Sequence, residues 1–326
     1  MMRKDGGIIS FKEKVGYGLG DTASNLYFQM FINFLLFFYT DVFGITAAAA
    51  GTMLMVSRFW DALNDPLMGV ISDRTDTRWG KFRPYLLWIS LPMALIGVLT
   101  FTTPDLDPGK KLVYAYVTYT LMMMAYTAIN IPYSALMGVL SPSSDVRTSV
   151  STYRFVLAYA GAFIVQGLTL RMVGFFGGGD QSVGFPITMG VFGLLAAGLF
   201  AVTFATTKER VKPSTQEASS LRRDFADLAN NRPWLILLVM SIASLAYAII
   251  RSGAIMYYFK YVVGDESQAA LFMVTGTAAV IVGVACTQSL ARRFGKTRLY
   301  VGVMGLSGLL TLLFYFVLAL GFVRLR

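Results

Sequence analysis

The chain has no histidine and a single cysteine, Cys286, which lies inside an apolar run. Those two absences exclude disulfides, Cys–His nucleophilic chemistry, imidazole acid–base catalysis and the ligand clusters that zinc requires. No catalytic constellation remains, which argues against an enzyme. Charge is scarce as well: Asp, Glu, Lys and Arg make up 14% of the residues, against 56% that are hydrophobic. With 326 residues and a mean hydropathy of +0.60, the composition is that of a polytopic, all-α protein embedded in a lipid bilayer. The net charge of +10 does not point to nucleic acid, because the Lys and Arg residues sit in short loops between apolar runs. Met1 to Val15 is charged and lacks a short apolar segment with a small-residue cleavage site, so no removable signal peptide is read there.

Apolar runs long enough to span occur at about 16–40, 48–72, 84–103, 112–139, 149–173, 185–206, 233–262, 269–290 and 299–323, about nine transmembrane helices. The basic residues alternate between the two sides. Arg3, Lys4, Lys12 and Lys14, the 74–83 loop, Arg147, the 207–232 segment and the 292–298 loop hold most of them. The opposite side has only Lys110, Lys111, Arg171, Lys260, Arg324 and Arg326. The positive-inside rule therefore puts the N-terminus in the cytoplasm, and the expected location is the cytoplasmic (inner) membrane. The polar 207–232 segment, with Pro213 and Ser219-Ser220, reads as a cytoplasmic linker. It separates an N-terminal six-helix half, 1–206, from three helices of a partial C-terminal half, 233–326. A weak repeat supports two halves: Gly69, Asp73, Arg74, Arg78, Gly80, Lys81 and Arg83 after span 2 have a counterpart in 291–298 after span 8.

Span 2 holds the sharpest local signal, Ser57-Arg58-Phe59-Trp60-Asp61-Ala62-Leu63-Asn64-Asp65-Pro66. Each central Asp or Arg costs roughly 2.5 to 3.5 kcal/mol to insert, against about 0.3 to 0.6 gained per large aliphatic residue. At about 100° per residue, Arg58, Asp61, Asn64 and Asp65 share one helix face. Pro66 has no N–H, which frees the carbonyl of Ala62 beside them. Two carboxylates and one guanidinium leave a formal charge of −1, which one monovalent cation would neutralise. A structural ion network joining span 2 to its neighbours is the alternative.

Other spans carry polar faces. Asp21, Asn25, Gln29 and Asn33 recur every four residues in span 1, and Thr127, Asn130 and Ser134 line one face of span 4 near Tyr119, Tyr126 and Tyr133. Span 5 enters with Tyr153-Arg154, and span 7 has Ser241, Ser244, Tyr247 and Arg251. Arg58, Asp21 and Arg251 are candidate members of an intramembrane charge network. Together the stripes would surround a wet cavity suited to a polyhydroxylated solute; interhelical packing is the alternative, an even one for the Ser and Thr positions and a weaker one for Asp21, Arg154 and Arg251, whose charges need water, a partner or a ligand.

Gly18-x-Gly20-Asp21, Tyr39-Thr40-Asp41, Arg58-x-x-Asp61-Ala62-x-x-Asp65-Pro66, Arg78-Trp79-Gly80-Lys81-Phe82-Arg83-Pro84 and Asn130-Ile131-Pro132-Tyr133 together resemble the galactoside–pentoside–hexuronide:cation symporters, the melibiose-carrier group of the major facilitator superfamily. The resemblance implies a two-half, twelve-helix carrier coupling a glycoside to Na⁺, Li⁺ or H⁺, with no other cofactor. Asp61 and Asp65 match the family's cation-binding carboxylates, completed by Asn64 and Thr127. Arg154 matches a sugar-contacting arginine, and Tyr126 lies beside the matching substrate region. Where the melibiose carrier has sugar-binding aspartates in helices 1 and 4, this chain has Asn25 and Asn130, and Ser134 replaces a tryptophan. A pentoside, an acidic sugar or another glycoside therefore stays open.

These readings predict a secondary active transporter working by alternating access, partnered by a small glycoside-like solute and a monovalent cation. A carrier of amphiphiles or lipids on the same fold, or a truncated, non-transporting membrane protein, is the alternative. Three spans after the linker against six before it predict the N-terminal portion of a longer carrier, or a shortened gene product.

Overall fold

The computed structural model describes residues 9–211 and 230–324. They form helices and connecting turns, with no strand among the described residues. In chain order these are α1 (Phe11–Met30), α2 (Ala47–Arg74), α3 (Arg83–Trp88), α4 (Ser90–Thr100), α5 (Pro108–Leu140), α6 (Ser144–Gly177), α7 (Gln181–Thr206), α8 (Arg232–Tyr258), α9 (Ser267–Phe294) and α10 (Lys296–Arg324). Each apolar run of the sequence falls on a helix, with span 3 split into α3 and α4. Two compact units are distinguished, Met1–Val274 and Thr275–Arg326, the division falling inside α9.

Local chemistry sets the helix starts. Ser10 accepts the Glu13 N–H at 3.2 Å, Thr46 caps α2, Ser143 caps α6, Asp180 caps α7 and Asn231 caps α8. Helix α1 does not stop at Met30. It runs on through two π turns, Phe31–Leu35 and Phe38–Val42, each with one more residue per turn than an α-helix allows. Helix α8 ends in a third, Phe259–Val263, closed by Gly264 at φ +77°. Pro66 and Pro132 sit inside continuous helices, so neither breaks its span.

Helix α1 is the centre of the first unit, packing against α6 and α7 and, through its first π turn, against α8; α2 lies on α5 and α4 on α7. Close approach needs small residues: a methyl group at Gly16 or Gly20 would collide with Thr206 or Tyr133. Tyr17 and Tyr133 are fully buried and stack at 4.7 Å, and each hydroxyl donates to the other's backbone carbonyl, at 3.0 and 2.8 Å. Two hydrogen bonds and the stacked rings stabilise this α1–α5 contact by about 3 kcal/mol.

Among the described residues four helices are long and apolar enough by length and composition to cross a membrane, at Pro108–Leu140, Ser149–Gly177, Gln181–Thr206 and Arg232–Val263. Helices α1 and α2 have the length, but polar stripes dilute their hydropathy. Large apolar side chains such as Phe59, Leu63 and Leu67 on α2 and Leu194 on α7 are exposed, as a lipid-facing surface requires.

In the second unit, α10 begins directly after Gly295, which has φ +82°, and Phe294, Arg298, Leu299, Gly302, Val303 and Leu306 line an apolar groove.

Candidate functional site

Arg58 Nη1 lies 3.4 Å from Asp61 Oδ2; the Asp61 side chain is only 14% exposed, whereas Arg58 is 60% exposed. Asp65 Oδ1 accepts the Thr127 hydroxyl hydrogen at 2.8 Å, which ties α2 to α5. Asp61 Oδ1 and Asn64 Nδ2 are buried with no hydrogen-bond partner. A carboxylate oxygen or an amide N–H taken out of water and left unpaired is costly.

The span 1 stripe faces α6. Arg154 donates from Nε to Asp21 Oδ2 at 3.1 Å and from Nη2 to Asp21 Oδ1 at 3.4 Å, and its guanidinium stands 5.5 Å from the centre of the Tyr133 ring. The next residue, Thr22, donates to the carbonyl of Leu157, about one turn beyond Arg154, at 2.8 Å. Further along, Gln29 Oε1 accepts from both Asn33 Nδ2 at 2.8 Å and Gln166 Nε2 at 3.1 Å. Much of this stripe therefore joins helices, and Gln166, which the sequence reading did not single out, belongs to it. Its signal was a polar side chain inside the apolar run 149–173.

Asn25 and Asn130 each donate an amide hydrogen to a carbonyl one turn back on their own helix, Asp21 O at 2.9 Å and Tyr126 O at 3.1 Å. Tyr126 is near enough to Asp21, Arg154 and Arg58 to feel their charges, and its ring meets Phe31 edge-on at 6.5 Å. Tyr133 and Tyr119 are buried in the core. Arg251 is exposed on α8 and forms no ion pair among the described residues, and Ser241 and Tyr247 are exposed as well. Asp21, Arg58 and Arg251 thus have separate surroundings.

Both ends of the bundle carry polar fasteners that the sequence reading missed. At one end Glu13, 4% exposed, accepts two Arg210 N–H groups at 2.6 and 2.8 Å and the Lys208 backbone N–H at 3.1 Å. The hydrogen bond to Glu13 raises the Arg210 pKa. Glu209 accepts the backbone N–H groups of Lys81, Phe82 and Arg83 at 2.9, 2.8 and 3.0 Å, where Gly80 turns at φ +109° to open α3. Arg210 and Val211 donate their N–H groups to the Val139 carbonyl. The start of the 207–232 linker is therefore bound to α1, α3 and α5; residues 212–229 of it lie outside the described residues.

At the other end, Asp41 accepts from Lys260 Nζ at 2.7 Å, Tyr261 at 2.5 Å and Thr40 at 2.5 Å. Thr40 also meets the Tyr257 hydroxyl at 2.8 Å, and Glu266 receives Gln181 at 3.1 Å and lies 3.7 Å from Lys260. These contacts hold the last turns of α8 to the end of α1. The earlier part of α8, up to Ile250, is largely exposed.

The sequence profile described as "MFS/sugar transport protein" matches residues 16–323. The chain is 39% identical over 307 residues to the putative glycoside/cation symporter YagG of Escherichia coli K12, covering 94% of this chain and 67% of the relative. It is 38% identical over 312 residues to the inner membrane symporter YicJ of the same organism, covering 95% and 67%. Similarity to the isoprimeverose transporter of Lactiplantibacillus pentosus is 36% over 292 residues, covering 89% and 61%. All three are transporters, and the resemblance found in spans 1 to 5 extends along the chain. It belongs to the major facilitator superfamily, among its glycoside–pentoside–hexuronide:cation symporters, and is a multi-pass membrane protein of the sugar transport family.

Proposed function

We propose that this chain carries a glycoside-like solute across the cytoplasmic membrane together with a monovalent cation, Na⁺, Li⁺ or H⁺, by alternating access between two halves, 1–206 and 233–326, with its N-terminus in the cytoplasm. The observation that carries the reading is the α2 cluster: a net charge of −1 at Arg58, Asp61 and Asp65, with a buried Asp61 oxygen that nothing among the described residues satisfies. Asp61 and Asp65 are the cation ligands in this reading, and Asn64 and Thr127 complete the site. A bound cation supplies the missing partner and cancels the charge, which lowers the cost of burying the cluster.

Asn25, Tyr126, Asn130 and Arg154 form the solute site. Amides, a phenol and a guanidinium offer donors and acceptors with an aromatic face, as a sugar ring requires. A symporter needs each ligand to favour the state that the other favours. The relative named for isoprimeverose makes that disaccharide the first solute to try.

The test is solute-dependent uptake of ²²Na⁺, and of H⁺ by a pH-sensitive dye, into proteoliposomes holding the chain, across isoprimeverose, melibiose, a methyl xyloside and a methyl glucuronide. Stimulated cation entry with at least one of them is expected. Cation entry unaffected by every solute, with no solute accumulation, would sink the reading.

A further inference from the structure

Arg154 is held more firmly than a residue free to follow a solute. A guanidinium has five N–H donors arranged along its edges. Asp21 takes the side-on edge, Nε and Nη2, with its two carboxylate oxygens at 3.1 and 3.4 Å. One face of the group rests over Tyr133, 5.5 Å from the ring centre, and Tyr133 is fixed in turn by its stack and reciprocal hydrogen bonds with Tyr17. Among the described residues nothing occupies the end-on fork, one hydrogen of Nη1 and the second hydrogen of Nη2. The Arg154 side chain keeps 29% of its surface exposed, while Asp21 keeps 11%.

We propose that Asp21 is a positioning residue for solute recognition: it anchors the side-on edge of Arg154 so that the end-on fork is presented to two neighbouring hydroxyl oxygens of the solute. This rests on the solute reading given above. Two parallel N–H donors at a fixed separation match a pair of adjacent acceptors, and a guanidinium that is already oriented loses little rotamer freedom when it binds them. The carboxylate also offsets the guanidinium charge, so the pair is neutral in the membrane before any solute arrives. Neighbouring hydroxyls on a pyranose ring are the chemistry that fits; a solute lacking one of the two leaves half of the fork without an acceptor, and that omission is penalised.

The experiment uses the full chain in nanodiscs and calorimetric binding of the panel sugar that the wild type binds best, beside its analogue lacking one hydroxyl of an adjacent pair. The variants are Asp21→Asn, Asp21→Glu, Arg154→Lys and the double variant Asp21→Asn/Arg154→Lys. Asp21→Asn should weaken binding of the sugar about tenfold or more and erase the preference over the deoxy analogue. Asp21→Glu should restore most of both, and the double variant should bind no worse than Arg154→Lys alone. Cation affinity in the absence of sugar should stay at the wild-type value in all four. Wild-type affinity and discrimination in Asp21→Asn would overturn the assignment while leaving the solute reading intact. So would equal losses of sugar and cation binding in Asp21→Asn and Asp21→Glu, which is the behaviour of a purely structural ion pair. Absence of binding by the wild type to every sugar would overturn the solute reading and this assignment with it.

Discussion

Replacing Glu209 by alanine removes the acceptor of three backbone N–H groups at the start of α3. Hydrogen bonds to a charged acceptor stabilise by about 1.5 to 3 kcal/mol each when no water can substitute. Here water can reach part of the turn, since Lys81 and Arg83 are half-buried and only Phe82 is fully covered. With roughly half of the gross value recovered by hydration, the net local loss is about 2.3 to 4.5 kcal/mol, enough to speed opening about 50- to 2,000-fold. Hydrogen–deuterium exchange of a peptide covering residues 77–86, in nanodiscs, reads that opening directly. A peptide from the middle of α5 serves as the reference and should not change. The Lys208 N–H stays on Glu13 and the Arg210 N–H on Val139, so the segment remains tethered and the effect should be confined to the α3 turn. Exchange within twofold of the wild type would show that Glu209 is a bystander and that water caps α3 as well as the carboxylate does.

Asp61→Asn and Asp65→Asn should each weaken cation-stimulated sugar binding, and Thr127→Val should do so about tenfold by removing the 2.8 Å bond to Asp65; unchanged cation stimulation in either Asn variant would return the cluster to a structural network. A double-mutant cycle of Asp41→Asn and Lys260→Met, followed by thermal unfolding, should give a coupling of about 1 kcal/mol, and additive losses would show that the 2.7 Å pair contributes nothing of its own. Asp180 and Asp265 each cap a helix start, accepting from Ser182 and from Ser267 and Gln268, and those bonds lower both pKa values. A depressed carboxyl adds stability above the ordinary value of about 3.9 and loses it as pH falls through its own lower value. Carboxyl carbon shifts in an NMR titration should place both midpoints below that of a free aspartyl peptide, and a midpoint at or above it would contradict the cap.

Helix positions were legible because membrane insertion imposes length and apolarity on each segment separately, so the run at 112–139 needs no partner to be recognised as α5. The α2 cluster was legible for the same reason: Arg58, Asp61 and Asp65 stand out against lipid whatever surrounds them. Pairings across the chain were not. Nothing local links Asp21 to Arg154, or Glu13 to Arg210, since which carboxylate meets which cation depends on how α1, α6 and the segment after α7 pack. The span 1 stripe looked like the lining of a cavity, yet Gln29 is committed to Asn33 and Gln166, because amides in a bilayer seek each other when helices touch. Glu209 was invisible for a further reason: its partners are backbone N–H groups, which every residue but proline carries and no sequence pattern marks.

The two π turns of α1 alter what the helix can align. Asp41 follows Asp21 by twenty residues, and at about 100° per residue an unbroken α-helix would turn it about 200° away, to the opposite face. Each π turn holds one surplus residue, as the Phe43 N–H to Phe38 carbonyl bond at 2.8 Å shows, so the effective separation falls to about eighteen residues, or five whole turns. Asp41 is thereby brought back over Asp21. The helix acts as a keyed shaft, in which the orientation of one end is set relative to the other by surplus residues stored between them. Deleting a single residue between Phe31 and Val42 would leave the Asp21–Arg154 contact in place and turn the Asp41 carboxylate about a quarter of a revolution away from Lys260.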